Sequence, residues 1–228
     1  MEAIILSGGK GNRLQSIIKK IPKTMAKVKG KPFLETTLQW LNTFDIDKVI
    51  LAVGYKKEYI KKYFGNKYGK IELKYSEEDE PLGTGGAIKK ALEKCKEENI
   101  IVMNGDVLAR VDLNEMYKKH ESLEALMTIA IKEMNDFDRF GVVKFKKDRI
   151  IKFEEKKYVK KGYMNTGIYI INKNIFKNKI NKKSFSIEID YLNKYVSKDK
   201  IGLFIYEGEF IDIGIPEDYK KIQKIDIL

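Results

Sequence analysis

Cysteine is almost missing from this chain: Cys95 is the only one among 228 residues. A lone thiol excludes an intramolecular disulfide and any cysteine-based metal cluster, and it suits a reducing cytoplasm. Histidine is equally scarce. His120 is the sole example, and its polar helical surroundings lead us to expect an exposed surface position. No run of about 18 apolar residues occurs, and the opening "MEAIIL" lacks a cationic segment followed by a long apolar one, so neither membrane insertion nor secretion is expected. With four prolines there is no Pro/Ser-rich linker, and there is no internal repeat.

What is present describes a folding chain. The apolar fraction is 43% and the aromatic fraction 11%, enough for a substantial core, and the length fits a single domain over residues 1–228. The formal charge of +12 invites a nucleic-acid reading. Clustering is what it lacks: the lysines fall in short interruptions such as "KYVKKGY" and "NKNIFKNKINKK" on nearly every expected surface. We therefore expect a solvated cationic surface with a general attraction for anionic substrates, and no nucleic-acid partner.

Apolar runs rich in Ile and Val alternate with amphipathic stretches through the first half. "AIIL" (Ala3 to Leu6), "KVILAVGY" (Lys48 to Tyr55), "KIELKYS" (Lys70 to Ser76) and "NIIVMNGD" (Asn99 to Asp106) read as strands. Leu34, Leu38 and Leu41 recur at helical spacing after Pro32, and Ile88, Leu92 and Cys95 mark the inner face of another helix. The pattern predicts an α/β fold with a mixed, mostly parallel sheet flanked by helices, whose ligand crevice lies beyond the carboxyl ends of the strands. "LMTIAIK", "FGVVKF", "RIIKFEE" and "GIYIIN" suggest a small antiparallel extension, "YEGEF" a late strand, and "PEDYKKIQKI" (Pro216 to Ile225) a last helix.

Glycines and acids recur at the strand exits. "LSGGKGNRL" (Leu6 to Leu14) fits neither established glycine motif: Leu14 stands where the dinucleotide fingerprint needs its third glycine, and G-x-x-x-x-G-K-[ST] occurs nowhere. The loop alone is as compatible with a tight turn as with a ligand. Arg13 and the Lys23 of "PKTM" add two cations beyond the same strand, suited to phosphate oxygens, although each also fits ordinary surface charge. Asp106 and Asp212 leave apolar strands beside glycines, where they serve either as strand-end caps or as two carboxylates sharing one Mg²⁺ with substrate phosphates.

Taken together, "IILSGGKGNRL", "PKTM", "EPLGTGGA", "NGD", "FGVVKF", "FEEK", "MNTGIYIIN" and "FIDIGIPEDY" resemble the sugar-1-phosphate nucleotidyltransferases, in that family's order, from Ala3 to Tyr219. The resemblance implies one Rossmann-like domain that joins a nucleoside triphosphate to a sugar 1-phosphate with Mg²⁺ and releases pyrophosphate. It implies that Leu6, Gly8 and Gly9 lie along the nucleotide, that Arg13 and Lys23 bind the triphosphate, and that Asp106 and Asp212 hold the metal. It further implies that Gly141, Glu155, Lys156, Asn165 and Gly167 hold the sugar and its phosphate. Arg13, Lys23 and Asp106 are the residues implied for catalysis, which would consist of positioning and positive charge. Their presence argues against a silent nucleotide-sensing domain.

The base is expected to be read in "SEEDEPLGTGGA". Uridylyl and thymidylyl members of that family commonly carry glutamine five residues before the glycine that here is Gly83, and this chain has Glu78 there. With Glu80 it makes a pattern similar to guanylyl members. Guanine presents N1–H and N2–H₂ side by side to a carboxylate, so GTP is favoured; the other reading of Glu77, Glu78, Asp79 and Glu80 is a solvated acidic loop. For the sugar, "MNDFDRFGVV" and "FSIE" resemble bacterial D-glycero-α-D-manno-heptose 1-phosphate guanylyltransferases, which serve surface polysaccharide synthesis, with mannose 1-phosphate enzymes next. A cytidylyl-, thymidylyl- or uridylyltransferase for another phosphorylated substrate stays open, as does the choice between monomer and homodimer.

Overall fold

A computed structural model describes residues 1–11, 14, 18 and 21–224. The first half carries β1 (Glu2–Ser7), β2 (Lys27–Val28), β3 (Lys31–Pro32), α1 (Phe33–Leu41), β4 (Lys48–Val53) and α2 (Lys57–Phe64). Next come β5 (Lys67–Tyr68), β6 (Ile71–Glu77), α3 (Gly83–Leu92), β7 (Asn99–Asn104), β8 (Val107–Ala109) and α4 (Leu113–Ser122). The second half contributes β9 (Met127–Phe137), β10 (Val142–Lys146), β11 (Arg149–Glu154) and β12 (Val159–Asn172). It ends with α5 (Asn193–Tyr195), β13 (Ile201–Ile205), β14 (Phe210–Asp212) and α6 (Pro216–Ile222).

β1 lies between β4 and β7, parallel to both, and β4 is parallel to β6, as the alternating first half predicts. Side chains alternate across such a strand. Ile4 therefore enters one apolar layer with Ile88 and Leu92 of α3, while Ala3 and Ile5 enter the opposite layer with Leu34, Leu38 and Leu41 of α1. Burial on both faces is why β1, β4 and β7 read as nearly unbroken apolar runs, whereas β6 alternates buried and exposed positions.

The antiparallel strands join this same sheet. β12 pairs with β7 on one side and β9 on the other, completing a ten-stranded sheet that β10 and β11 close at one edge. β8 and β14 form a separate antiparallel pair above it. Three local expectations are corrected. "YEGEF" is a loop as far as Glu209, where Tyr206 Oη donates to the Glu209 carbonyl at 2.8 Å and accepts from the Arg110 amide at 3.0 Å; β13 ends just before it and β14 begins at its Phe210. Cys95 follows α3 instead of lying within it. His120 is buried, at 1% exposure, because α4 turns it onto β9, where Nδ1 lies 2.9 Å from Thr128 Oγ1. A short helix in a polar stretch still has one inward face, and His120 shares it with Leu113 and Met116.

Candidate active site

The parallel strands end together, and their exits build one cavity. The β1 exit is held on both sides: the Gly105 amide donates to the Leu6 carbonyl at 2.9 Å, and the Tyr55 amide to the Gly8 carbonyl at 3.1 Å. Between them lies a cavity of about 640 Å³. It is lined by Leu6, Gly8, Gly9, Lys23, Glu78, Glu80 and Gly83, which are the expected nucleotide-side residues apart from Arg13, and by Asp106, expected at the metal. Arg13 lies outside the described residues.

At Gly8 the absent side chain leaves room for the Glu78 carboxylate. A Cβ at this position would stand 2.8 Å from Glu78 Oε1 and 3.4 Å from the Gly54 amide nitrogen. The β1 backbone thus meets the Glu78 carboxylate without an intervening side chain. Glu78 Oε2 accepts from the Leu82 amide at 3.0 Å, which fixes the carboxylate, and burial raises its pKa above the ordinary glutamate value. Glu80 is exposed on the rim, and Asp79 is paired with Lys57 at 2.9 Å. At Gly83 the backbone has φ +70°, and a Cβ would strike the Phe185 carbonyl oxygen at 2.6 Å. Only glycine passes both tests there.

A second cavity of about 320 Å³ continues from the first, sharing Thr84, Asn104 and Asp106. Its lining includes Gly141, Glu155, Lys156, Asn165 and Gly167, the residues expected to hold the sugar and its phosphate, together with Asp212, expected at the metal. Glu155 and Lys156 leave the end of β11 exposed, whereas neighbouring Glu154 is taken by Lys152 at 2.7 Å and Lys157 at 2.8 Å and its carboxyl is held down to about 2. Asn165 and Gly167 sit where the β12–β9 register shifts. Such a bulge re-aims side chains. Asn165 is locked there, donating to Tyr169 Oη at 2.7 Å and accepting the Gly167 amide at 2.9 Å.

The short β8–β14 ladder brings the two aspartates to one place: Asp212 pairs in register with Val107, and the Ile213 amide donates to the Asp106 carbonyl at 3.0 Å. Lys23 Nζ donates to Asp106 Oδ2 at 2.5 Å. Burial first, and the Asp106 charge second, push the Asp212 carboxyl above its ordinary value. Two mutually repelling carboxylates facing a phosphate-sized cavity suit a hard divalent cation that takes its other ligands from substrate phosphates and water. Among the described residues there is no cluster of three or more acidic, histidine or cysteine ligands that would hold a metal without substrate. The two carboxylates where the cavities meet are donors of the kind a hard cation such as Mg²⁺ takes.

Sequence reasoning missed part of the lining. Thr84, Arg139, Ser186 and Glu188 face the second cavity, with Thr84 Oγ1 donating to Glu188 Oε2 at 2.8 Å and Ser186 Oγ to the same oxygen at 2.7 Å. The only local signal was the "FSIE" and "DRFGVV" similarity, because the contact that brings Glu188 to Thr84 joins residues about a hundred positions apart.

The chain is 50% identical to a D-glycero-α-D-manno-heptose 1-phosphate guanylyltransferase of Aneurinibacillus thermoaerophilus, covering 98% of this chain and 97% of that protein. The enzyme of the same name from Campylobacter jejuni is 48% identical, with 96% and 97% covered. Among solved structures, HddC from Yersinia pseudotuberculosis complexed with GMP-PN superimposes with a TM-score of 0.86 at 34% identity, covering 98% of both chains. Residues 2–227 match the Nucleotidyl transferase family. With the glycine-lined crevice, its two joined cavities and the paired aspartates in the order that fold demands, the chain belongs to the nucleotidyl transferase family.

Proposed function

We propose that this protein transfers GMP from GTP to D-glycero-α-D-manno-heptose 1-phosphate, releasing pyrophosphate and a GDP-sugar for surface polysaccharide synthesis. The observation that carries the reading is the continuity of the two cavities at Asp106, one sized for a nucleotide and the other for a phosphorylated sugar. Near-full-length similarity to heptose 1-phosphate guanylyltransferases supports the choice of base and sugar.

In this reading a sugar phosphate oxygen attacks the α-phosphorus in line; the new P–O bond forms as the bond to the β-phosphate oxygen breaks. That nucleophile is ionised near neutral pH, so no side chain need remove a proton. Glu78 accepts the guanine N1–H and N2–H₂, while the β1 exit at Gly8 and Gly9 lets the backbone approach the nucleotide. Lys23 and Arg13 offset the triphosphate charge, and Lys156 offsets that of the sugar phosphate. Asn165, Glu155 and the backbone at Gly141 and Gly167 orient the sugar. Asp106 and Asp212 would hold Mg²⁺, which supplies charge neutralisation at the reacting phosphates.

A panel of GTP, CTP, UTP and dTTP against heptose, mannose and glucose 1-phosphates, followed by pyrophosphate release, tests this. Turnover confined to GTP with the heptose phosphate is the expected result. Release with no pair would refute the transferase reading, a pyrimidine preference would refute the base, and a mannose preference would refute the sugar.

A further inference from the structure

Arg139 lies in the connection between β9 and β10, which forms a rim of the second cavity through Arg139, Phe140 and Gly141. None of residues 138–141 or 216–222 lines the first cavity. The guanidinium is held from two directions. Nη2 donates to Asp218 Oδ2 in the first turn of α6 at 2.5 Å, with the two side chains 32% and 20% exposed. Cζ stands 5.4 Å from the Phe140 ring centroid, and Phe140 packs edge-on at 5.2 Å against Phe210, the first residue of β14. The Arg139 charge also acts on Asp212, at the far end of that strand. Asp218 is otherwise approached by Lys221 at 3.7 Å.

One part of this arrangement is incomplete. Arg139 Nη1 is buried and has no hydrogen-bond partner among the described residues. Buried donors are rarely left so, and a planar fork with only one arm satisfied is half of what a guanidinium offers. The cavity it borders also contains Lys156, and an anionic substrate there brings acceptor oxygens.

We propose that Arg139 is a further sugar-side residue: a latch that fastens the 138–141 rim to the β14–α6 segment through Asp218 and, with a shift of its buried Nη1 arm on substrate binding, completes that arm on the sugar 1-phosphate. The proposal rests on the reaction proposed above. Because Arg139 lines the second cavity and not the first, its loss falls on the sugar phosphate more than on GTP.

The test compares Arg139→Lys, Arg139→Gln and Asp218→Asn with the parent protein, measuring KM for GTP and for D-glycero-α-D-manno-heptose 1-phosphate separately, alongside Tm. Arg139→Gln should raise the sugar phosphate KM about tenfold or more while KM for GTP stays within about twofold, and Arg139→Lys, which keeps the charge without the fork, should fall between. Asp218→Asn should reproduce part of the effect. Equal rises in both KM values, no rise in either, or a lowered Tm with an unchanged KM ratio would overturn the latch. Should Arg139→Gln not fold, the other two variants carry the same comparison. Failure of the parent protein with every substrate pair would instead refute the reaction itself.

Discussion

Acidification should destabilise this protein through one side chain. His120 is the only histidine, so it is the only side chain whose ordinary pKa lies between the carboxylates and the thiol. Burial beneath α4 lowers its pKa from 6.5 to about 4. The folded state thus binds the imidazole proton less readily than the unfolded chain, and the stability this contributes is complete above 6.5 and is lost as the pH falls toward 4. At about pH 5 the two-state linkage gives a loss of about 2 kcal/mol, and for a chain of this size that lowers Tm by about 4–8 °C. The comparison protein is His120→Asn, whose side-chain oxygen can stand near the Nδ1 position opposite Thr128. Urea unfolding of both proteins between about pH 8 and about pH 5 isolates the effect, because the titration of every carboxylate is common to both. The variant should start less stable through imperfect packing and lose less on acidification, so the gap narrows by about 2 kcal/mol. Parallel stability curves would refute the buried neutral imidazole.

Glu78→Gln replaces one acceptor oxygen with a donor while leaving room for the Leu82 amide bond; kcat/KM for GTP should fall about 10- to 100-fold and UTP should not suffer, as steady-state kinetics with both nucleotides would show. The raised pKa of Glu78 also predicts that KM for GTP climbs on acidification before an ordinary glutamate would titrate. Asp106→Asn removes one of the two carboxylates and the partner of Lys23, so half-saturation by Mg²⁺ should move to higher concentration, by isothermal titration as well as by turnover; an unchanged Mg²⁺ profile would dismiss the metal assignment.

The parallel half of the sheet was legible because burial on both faces writes itself as unbroken Ile/Val runs, and because ligands gather where such strands end. Residues at those exits, such as Gly8 and Asp106, could be located by position alone, whereas Glu78 stood out only through the family resemblance of its segment. Asp106 and Asp212 could each be picked out at a strand exit, but the contact that joins them could not be read locally, since a three-residue ladder across about a hundred positions leaves no periodic trace. Arg139 and Glu188 escaped for the same reason, and their chemistry depends on partners supplied by α6 and α3. His120 misled because a polar window averages over a helix whose inner face is narrow. The antiparallel strands were recognised singly, but their insertion beside β7 follows from the pairings of β12, a long-range choice.

Thr84, Asn104 and Asp106 belong to both cavities, so no wall separates them. A single molecule carrying a guanosine at one end and a phosphorylated sugar mimic at the other would engage both after losing translational freedom only once. Its second contact would form at an effective concentration set by the tether, in the millimolar range for a short flexible one. Two fragments too weak to inhibit separately would then make a strong inhibitor when joined by a linker short enough to pass Asp106.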